Sequence, residues 1–194
     1  MTEPPAAAAA PFREQFAAGL RGRRSINLFA PDVPPRDVVL AAIEVARWAP
    51  NHRLTEPWRF YLLGPKARAA ATELAVEIDT AVRGSRAGQA RAERMRAIPG
   101  WLVLTSRESD DPLIARENYA ACCCAAQNFM LYLWQLGIGV KWTTGNVTRD
   151  PRFYTRLEID ASAESVVGFF WYGYPKTVPE QRRRPVAEIA TELA

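Results

Sequence analysis

The chain has 194 residues, 48% hydrophobic and 24% charged, enough for one globular domain with a sizeable core. A formal net charge of only +4, with aromatic residues in apolar runs and not interleaved with basic ones, argues against a nucleic-acid-binding surface. A single histidine and three adjacent cysteines give no metal-ligand spacing, and no clean apolar run reaches the roughly 18 residues of a membrane span.

The opening MTEPPAAAAAP reads as a disordered tail over residues 1–11. It has neither the basic start nor the bulky apolar core of a signal peptide. Phe12, Phe16 and Leu20 recur at helical spacing and predict a short amphipathic helix ended by Gly22. Arg23-Arg24-Ser25 follows, then Ile26-Asn27-Leu28-Phe29 and a proline-rich turn. Pro35 opens a second helix, with Val39, Leu40, Ile43 and Ala46 as its stripe, and Pro50 stops it. After a loop from Asn51 to Glu56, Trp58 to Leu63 reads as a buried strand, and Gly64-Pro65 turns into a helix from Lys66 to about Val82. Between Arg83 and Arg96 the only bulky apolar residue is Met95, which predicts a solvent-exposed helix or a mobile flap. Trp101 to Thr105 is the second strand.

The longest apolar segment comes next. From Tyr119 to Trp134 the strongly polar side chains are Gln127 and Asn128, and no Pro or Gly occurs between Leu113 and Gly137. A helix from Ala115 to Leu136 would span roughly 33 Å. A helix apolar on every side needs cover on every side, and so short a chain can hardly wrap it, so a subunit interface is expected. Cys122, Cys123 and Cys124 point about 100° apart on that helix and read as buried free thiols in a reducing cytoplasm.

Gly137 to Trp142 is the third strand, ending at Thr143-Thr144-Gly145, and a short helix lies near Pro151 to Leu157. Ser165 to Tyr172 is the fourth strand. Pro185 opens a last helix with Val186, Ile189 and Leu193 on one side, too short to stand without docking. Helices separate the strands, so residues 12–194 form an α/β or α+β domain with one mixed sheet covered on both faces.

Of the 25 basic residues only Lys66, Lys141 and Lys176 are lysine, so 22 are arginine, the side chain whose planar fork grips phosphate. Arg23-Arg24-Ser25 and Arg182-Arg183-Arg184 each suit a phosphate. Each alone also reads as a solvated charge run, and the pair gains meaning if the fold joins them. Between Trp48 and Arg59, Pro50 and Pro57 fix both ends of a loop that could hold Asn51, His52 and Leu54 against a flat ligand, or could serve as a stiff connector. His52 has no Ser or Cys nucleophile in a known arrangement, so no hydrolytic triad is expected.

In order, the chain carries R-R-S, then A-P-x-H-x-x-x-x-P-W-R-F, G-x-G-x-x-W-x-x-G after the long helix, V-G-F-x-x-x-G-Y-P, and R-R-R-P. This series, from about Arg21 to Ile189, resembles the nitroreductase family, above all its small single-domain branch with A-P-D-H where Ala49-Pro50-Asn51-His52 stands here. The resemblance implies an α+β three-layer fold and an intertwined, cytoplasmic homodimer with two FMN molecules in its interface. It implies hydride transfer from NADH or NADPH through flavin N5 to a nitro, quinone or similar small acceptor. By motif, Arg23, Arg24 and Ser25 would grip the FMN phosphate and ribityl chain, with Asn27 near the pyrimidine edge. Pro50, Asn51, His52 and Leu54 would reach the flavin from the partner subunit. Trp142, Thr143, Thr144 and Gly145 would lie along the dimethylbenzene and N5 side, and Arg183 with Arg184 would close on the phosphate. No residue is expected as an obligatory acid or base, and the Thr143 and Thr144 hydroxyls are candidates for positioning near N5.

Departures from the family pattern bear on turnover. Asn27 stands where many members have Lys or Arg, Thr144 where many have an acid, Thr143 where some have Arg, and Asn51 where the branch has Asp. A neutral Asn27 implies a less favourable flavin reduction. Rival expectations are a dehydrogenase or dehalogenase-like enzyme acting on one metabolite, a redox-silent flavin carrier, and an arginine-rich nucleic-acid-binding module, whose affinity would fall steeply with salt.

Overall fold

The computed structural model describes residues 10–193. The N-terminal tail expected over 1–11 therefore lies outside the described residues, save Ala10 and Pro11. These two open helix α1, Ala10–Gly22. In chain order there follow α2 (Arg36–Ala46), β1 (Trp58–Leu62), α3 (Pro65–Arg83), α4 (Ser85–Arg96), β2 (Gly100–Arg107) and α5 (Pro112–Gln135). Then come β3 (Gly139–Thr143), α6 (Asn146–Arg149), α7 (Pro151–Leu157) and β4 (Glu164–Gly173). Prolines open α3, α5 and α7 at their first turn, where the missing N–H costs nothing. The Asp111 carboxylate caps α5 by accepting from the Leu113 backbone N–H at 2.8 Å. Gly137, at φ 73°, turns the chain out of α5 toward β3.

The four strands are ordered β1-β2-β4-β3, and every neighbouring pair is antiparallel. The mixed sheet expected from helical connections is thus corrected. Helix α5 does return the chain parallel to β2, but β4 is inserted between β2 and β3. Parallel pairing among the described residues is confined to the isolated bridge of Ser25 with Val140.

The sheet is covered on both faces, as strand alternation requires. Leu102, Leu104, Phe170 and Tyr172 pack with Ala125 and Phe129 beneath α5 and α2. Trp101, Val103, Phe169 and Trp171 face Leu74 of α3 and Phe153 of α7. The unbroken burial of β2 from Trp101 to Ser106 follows from that double cover.

Two expectations change and one narrows. Of the two alternatives for residues 83–96, the exposed helix is found and the flap is not: Ser85–Arg96 is helix α4, with only Gly88 and Met95 buried. Helix α4 folds back onto α3 after Gly84 (φ 84°), and Gly88 sits so close to Thr80 that a Cβ would collide with its hydroxyl. Met95 is buried and Arg91 Nε meets Asp79 Oδ2 at 2.7 Å, so the hairpin is locked by both packing and charge. Of the three cysteines on α5 expected to be buried, only Cys122 is; Cys123 is half-buried and Cys124 exposed, because α5 is covered on one side only and Tyr119 and Cys124 lie outward. The last helix is a single 3-10 turn, Val186–Glu188. Val186, Ile189 and Leu193 are exposed, so no surface among the described residues holds that stripe in a helix.

Helix α1 likewise buries no residue. Phe12, Phe16 and Leu20 line an open groove of about 400 Å³ whose other wall is Leu131 and Tyr132 of α5. No helix among the described residues is long and apolar enough to cross a membrane.

Candidate active site

The chain leaves α1 and runs beside the sheet edge. Ile26 N–H donates to the Val140 carbonyl at 3.2 Å, and fully buried Ile26 fills the space left by the absent side chain of Gly139. This places Arg23 and Arg24 at the end of α1, against β3. The Arg24 Nη1 folds back to donate to the carbonyls of Arg21 (2.6 Å) and Arg23 (3.0 Å). Burial, then repulsion from Arg183, then repulsion from Arg24 hold the Arg23 guanidinium below its ordinary pKa. The two arginine clusters, about 160 residues apart in sequence, therefore share one field. None of Arg23, Arg24 and Arg183 has an acidic partner among the ion pairs of the described residues. Guanidiniums that repel one another with no carboxylate in their ion pairs are the kind of group that an anion such as a phosphate would stabilise. Arg184 is exposed on the same C-terminal arm.

Asn27 is exposed, and its Oδ1 accepts from Lys141 Nζ at 2.6 Å. Lys141 is not one of the motif positions assigned to the flavin. The signal available was one cation in the otherwise uncharged strand Gly139–Thr143. Its ammonium lies over the Trp171 ring, with Nζ 5.5 Å from the centroid. Burial, and then the positive charges of Arg94 and Arg91, lower its pKa.

The end of β3 divides its residues. Trp142 is committed to the frame: its indole N–H donates to Val167 O at 3.1 Å and its ring lies 5.2 Å from Phe170. Gly145 O accepts from the Thr148 N–H and hydroxyl, which closes the turn into α6. Thr143 is half-buried and Thr144 exposed, and neither hydroxyl has a partner among the described residues. Thr143 and Gly145 border a 220 Å³ cavity whose far wall is Asp79, Arg83 and Arg91 of the α3–α4 hairpin.

The loop after α2 is built by Asn51. Its Nδ2 donates to Thr55 Oγ1 (3.0 Å) and to the His52 carbonyl (3.3 Å), while its Oδ1 accepts from the Glu56 N–H at 2.6 Å. Thr55 in turn donates to Asn118 Oδ1 on α5 at 2.8 Å. The Asn51 amide, read from the sequence as a ligand contact, is spent on shaping the loop. Arg53, Leu54 and Glu56 all take positive φ (61°, 49° and 43°), each costing about 1 kcal/mol or more for a residue with a Cβ. That strain lifts Leu54 to 83% exposure, with Pro50 and His52 also exposed beside it.

The two halves of the site do not meet within one chain. The loop is tied to Asn118, whereas the arginine segment leaves α1 beside Trp134 and Gln135. Sixteen residues of helix separate these anchor points, about 24 Å. The halves also flank opposite edges of the sheet, β1 and β3. Among the described residues no group of His, Cys, Asp or Glu is arranged to hold a metal.

The family model described as Nitroreductase family matches residues 20–174. YfhC of Bacillus subtilis (strain 168), which carries the provisional name NAD(P)H nitroreductase, is 29% identical over 184 residues, 90% of this chain and 92% of that one. A nitroreductase-like family protein from Bacillus cereus superposes with a TM-score of 0.82 at 26% identity, covering 100% of this chain and 98% of the other. The fold is also shared at 14% identity, TM-score 0.74, with NfnB, an FMN- and NADPH-dependent nitroreductase from Sphingopyxis sp. strain HMH; 92% of this chain and 99% of that one are covered. With four-fifths of its length matched and its architecture shared from end to end, this chain belongs to the nitroreductase family.

Proposed function

We propose that this chain, by family an NAD(P)H-dependent FMN oxidoreductase, reduces nitro compounds, quinones or similar small acceptors at a site built by two copies of itself. The observation that carries the reading is the cluster of Arg23, Arg24 and Arg183, three guanidiniums without an acid among them. These residues hold the FMN phosphate, Ser25 the ribityl chain, and Arg184 extends the grip from the C-terminal arm. Bound FMN supplies two-electron chemistry, taking hydride from NADH or NADPH and passing it on. Around it the protein positions and desolvates. Asn27 borders the pyrimidine edge, and the unpartnered Thr143 and Thr144 hydroxyls, with Trp142 and Gly145 behind them, border the opposite side.

The second copy supplies what one chain lacks. The strained loop with Pro50, His52 and exposed Leu54 closes over the partner's FMN, with Asn51 as its internal brace. The apolar groove between α1 and α5, and the uncovered stripe of Val186, Ile189 and Leu193, give a second copy apolar surface to bury.

Visible absorption of the purified protein, followed by anaerobic addition of NADPH and then NADH, tests the redox reading. An oxidised-flavin spectrum bleached by one nucleotide supports it and names the donor, and no flavin uptake refutes it. Co-expression tests the shared site. An R23A/R24A chain and an L54D chain, each inactive alone, recover activity when mixed, because each heterodimer contains one intact site. No recovery, from mixtures shown to contain heterodimer, would refute a site shared between two copies.

A further inference from the structure

Resting on the FMN reading above, we propose that Lys141 tunes the cofactor: its ammonium, held by Asn27, faces the pyrimidine edge of FMN and supplies the positive charge that Asn27 lacks. The geometry supports this in three ways. Asn27 lies two residues beyond Ser25 on the segment leading away from the arginine cluster. The Lys141 Nζ reaches across from β3 to that segment and donates to Asn27 Oδ1 at 2.6 Å. One of its three N–H donors is thereby assigned, and the other two have no partner among the described residues.

Lys141 also has no acidic partner. Arg91 is neutralised by Asp79, but Lys141 and Arg94 each lie 5.5 Å from the Trp171 ring centroid and neither forms an ion pair with a carboxylate among the described residues. A half-buried ammonium among cations is unfavourable until an anion arrives. Reduction of FMN at neutral pH places added negative charge on its pyrimidine ring, and a fixed cation there favours the reduced form over the oxidised one. A lysine whose ammonium served only Trp171, away from the flavin, would leave that balance unchanged.

The test is the midpoint potential of bound FMN in the FMN-loaded protein, measured against a reference dye, for the parent, Lys141→Gln and Lys141→Arg. Lys141→Gln is expected to lose about tenfold in its preference for reduced over oxidised FMN, a midpoint about 30 mV lower. Lys141→Arg, which keeps the charge, stays near the parent. Lys141→Met reads the same quantity if the Gln variant folds poorly. A midpoint indifferent to Lys141→Gln, with FMN bound normally, overturns this proposal alone. A parent chain that takes up no FMN overturns it together with the reading of the site.

Discussion

Arg23→Ala separates a binding role from a structural one, because the two roles predict opposite signs. In the chain without FMN, Arg23 is half-buried and repelled by Arg183 and Arg24. Its guanidinium stays charged at neutral pH despite its lowered pKa, so it costs stability there. Removing it should raise the melting temperature of the FMN-free protein. With FMN bound the sign reverses. A guanidinium on a phosphate makes charge-assisted hydrogen bonds, and losing them costs about 1.5–3 kcal/mol, so the Kd for FMN rises roughly 10- to 150-fold. Quenching of FMN fluorescence measures the affinity, and calorimetry of both forms measures the stability. Arg83→Ala, on the far wall of the neighbouring cavity, is the control and leaves the Kd within about twofold of the parent. An Arg23→Ala protein that binds FMN as the parent does would refute the phosphate assignment.

Other residues give sharper tests of the frame. Phe129 is buried in the middle of α5, with edge-to-face contacts to Phe170 and Tyr172. Phe129→Ala should cost about 3–5 kcal/mol in urea unfolding, and a loss below 1 kcal/mol would mean α5 is not the centre of this core. Hydrogen bonds from the Arg152 side chain, and then from its backbone N–H, hold the Asp150 carboxyl at about 2. Such a depressed value contributes stability above the ordinary pKa of 3.8, lost as the pH falls through 2. Asp150→Asn should therefore melt below the parent at pH 7, with the gap closing between pH 4 and 2; a gap constant with pH would deny the pairing. Burial pushes the Cys122 thiol up to about 12. In native protein at pH 8, mass spectrometry should find Cys122 unmodified by iodoacetamide, with labelling only after unfolding.

Much of the frame was legible from the sequence because the signals are local. Prolines mark the starts of α3, α5 and α7, and unbroken apolar runs mark β2 and β4. The long segment free of Pro and Gly is α5. The ordered series of motifs likewise places the chain in its family without coordinates. Composition and spacing each misled at one segment. Residues 83–96 looked loose because their composition is polar, yet one glycine contact, one methionine and one ion pair dock them as α4. Residues 186–193 looked helical by spacing, yet spacing cannot hold a helix that nothing covers.

The site divides in the same way. Residue types and their order determined which side chains could bind a phosphate or cover a flat ring, since a guanidinium fork or a proline-braced loop carries that capacity wherever it lies. Tertiary structure alone decided which of them share a place. It joined Arg183 to Arg23, turned the Asn51 amide into its own loop and set Lys141 against Asn27. It also kept Leu54 and the arginines at opposite ends of α5. Those are relations between residues remote in sequence, fixed by the burial of both faces of one sheet, and no local pattern encodes them.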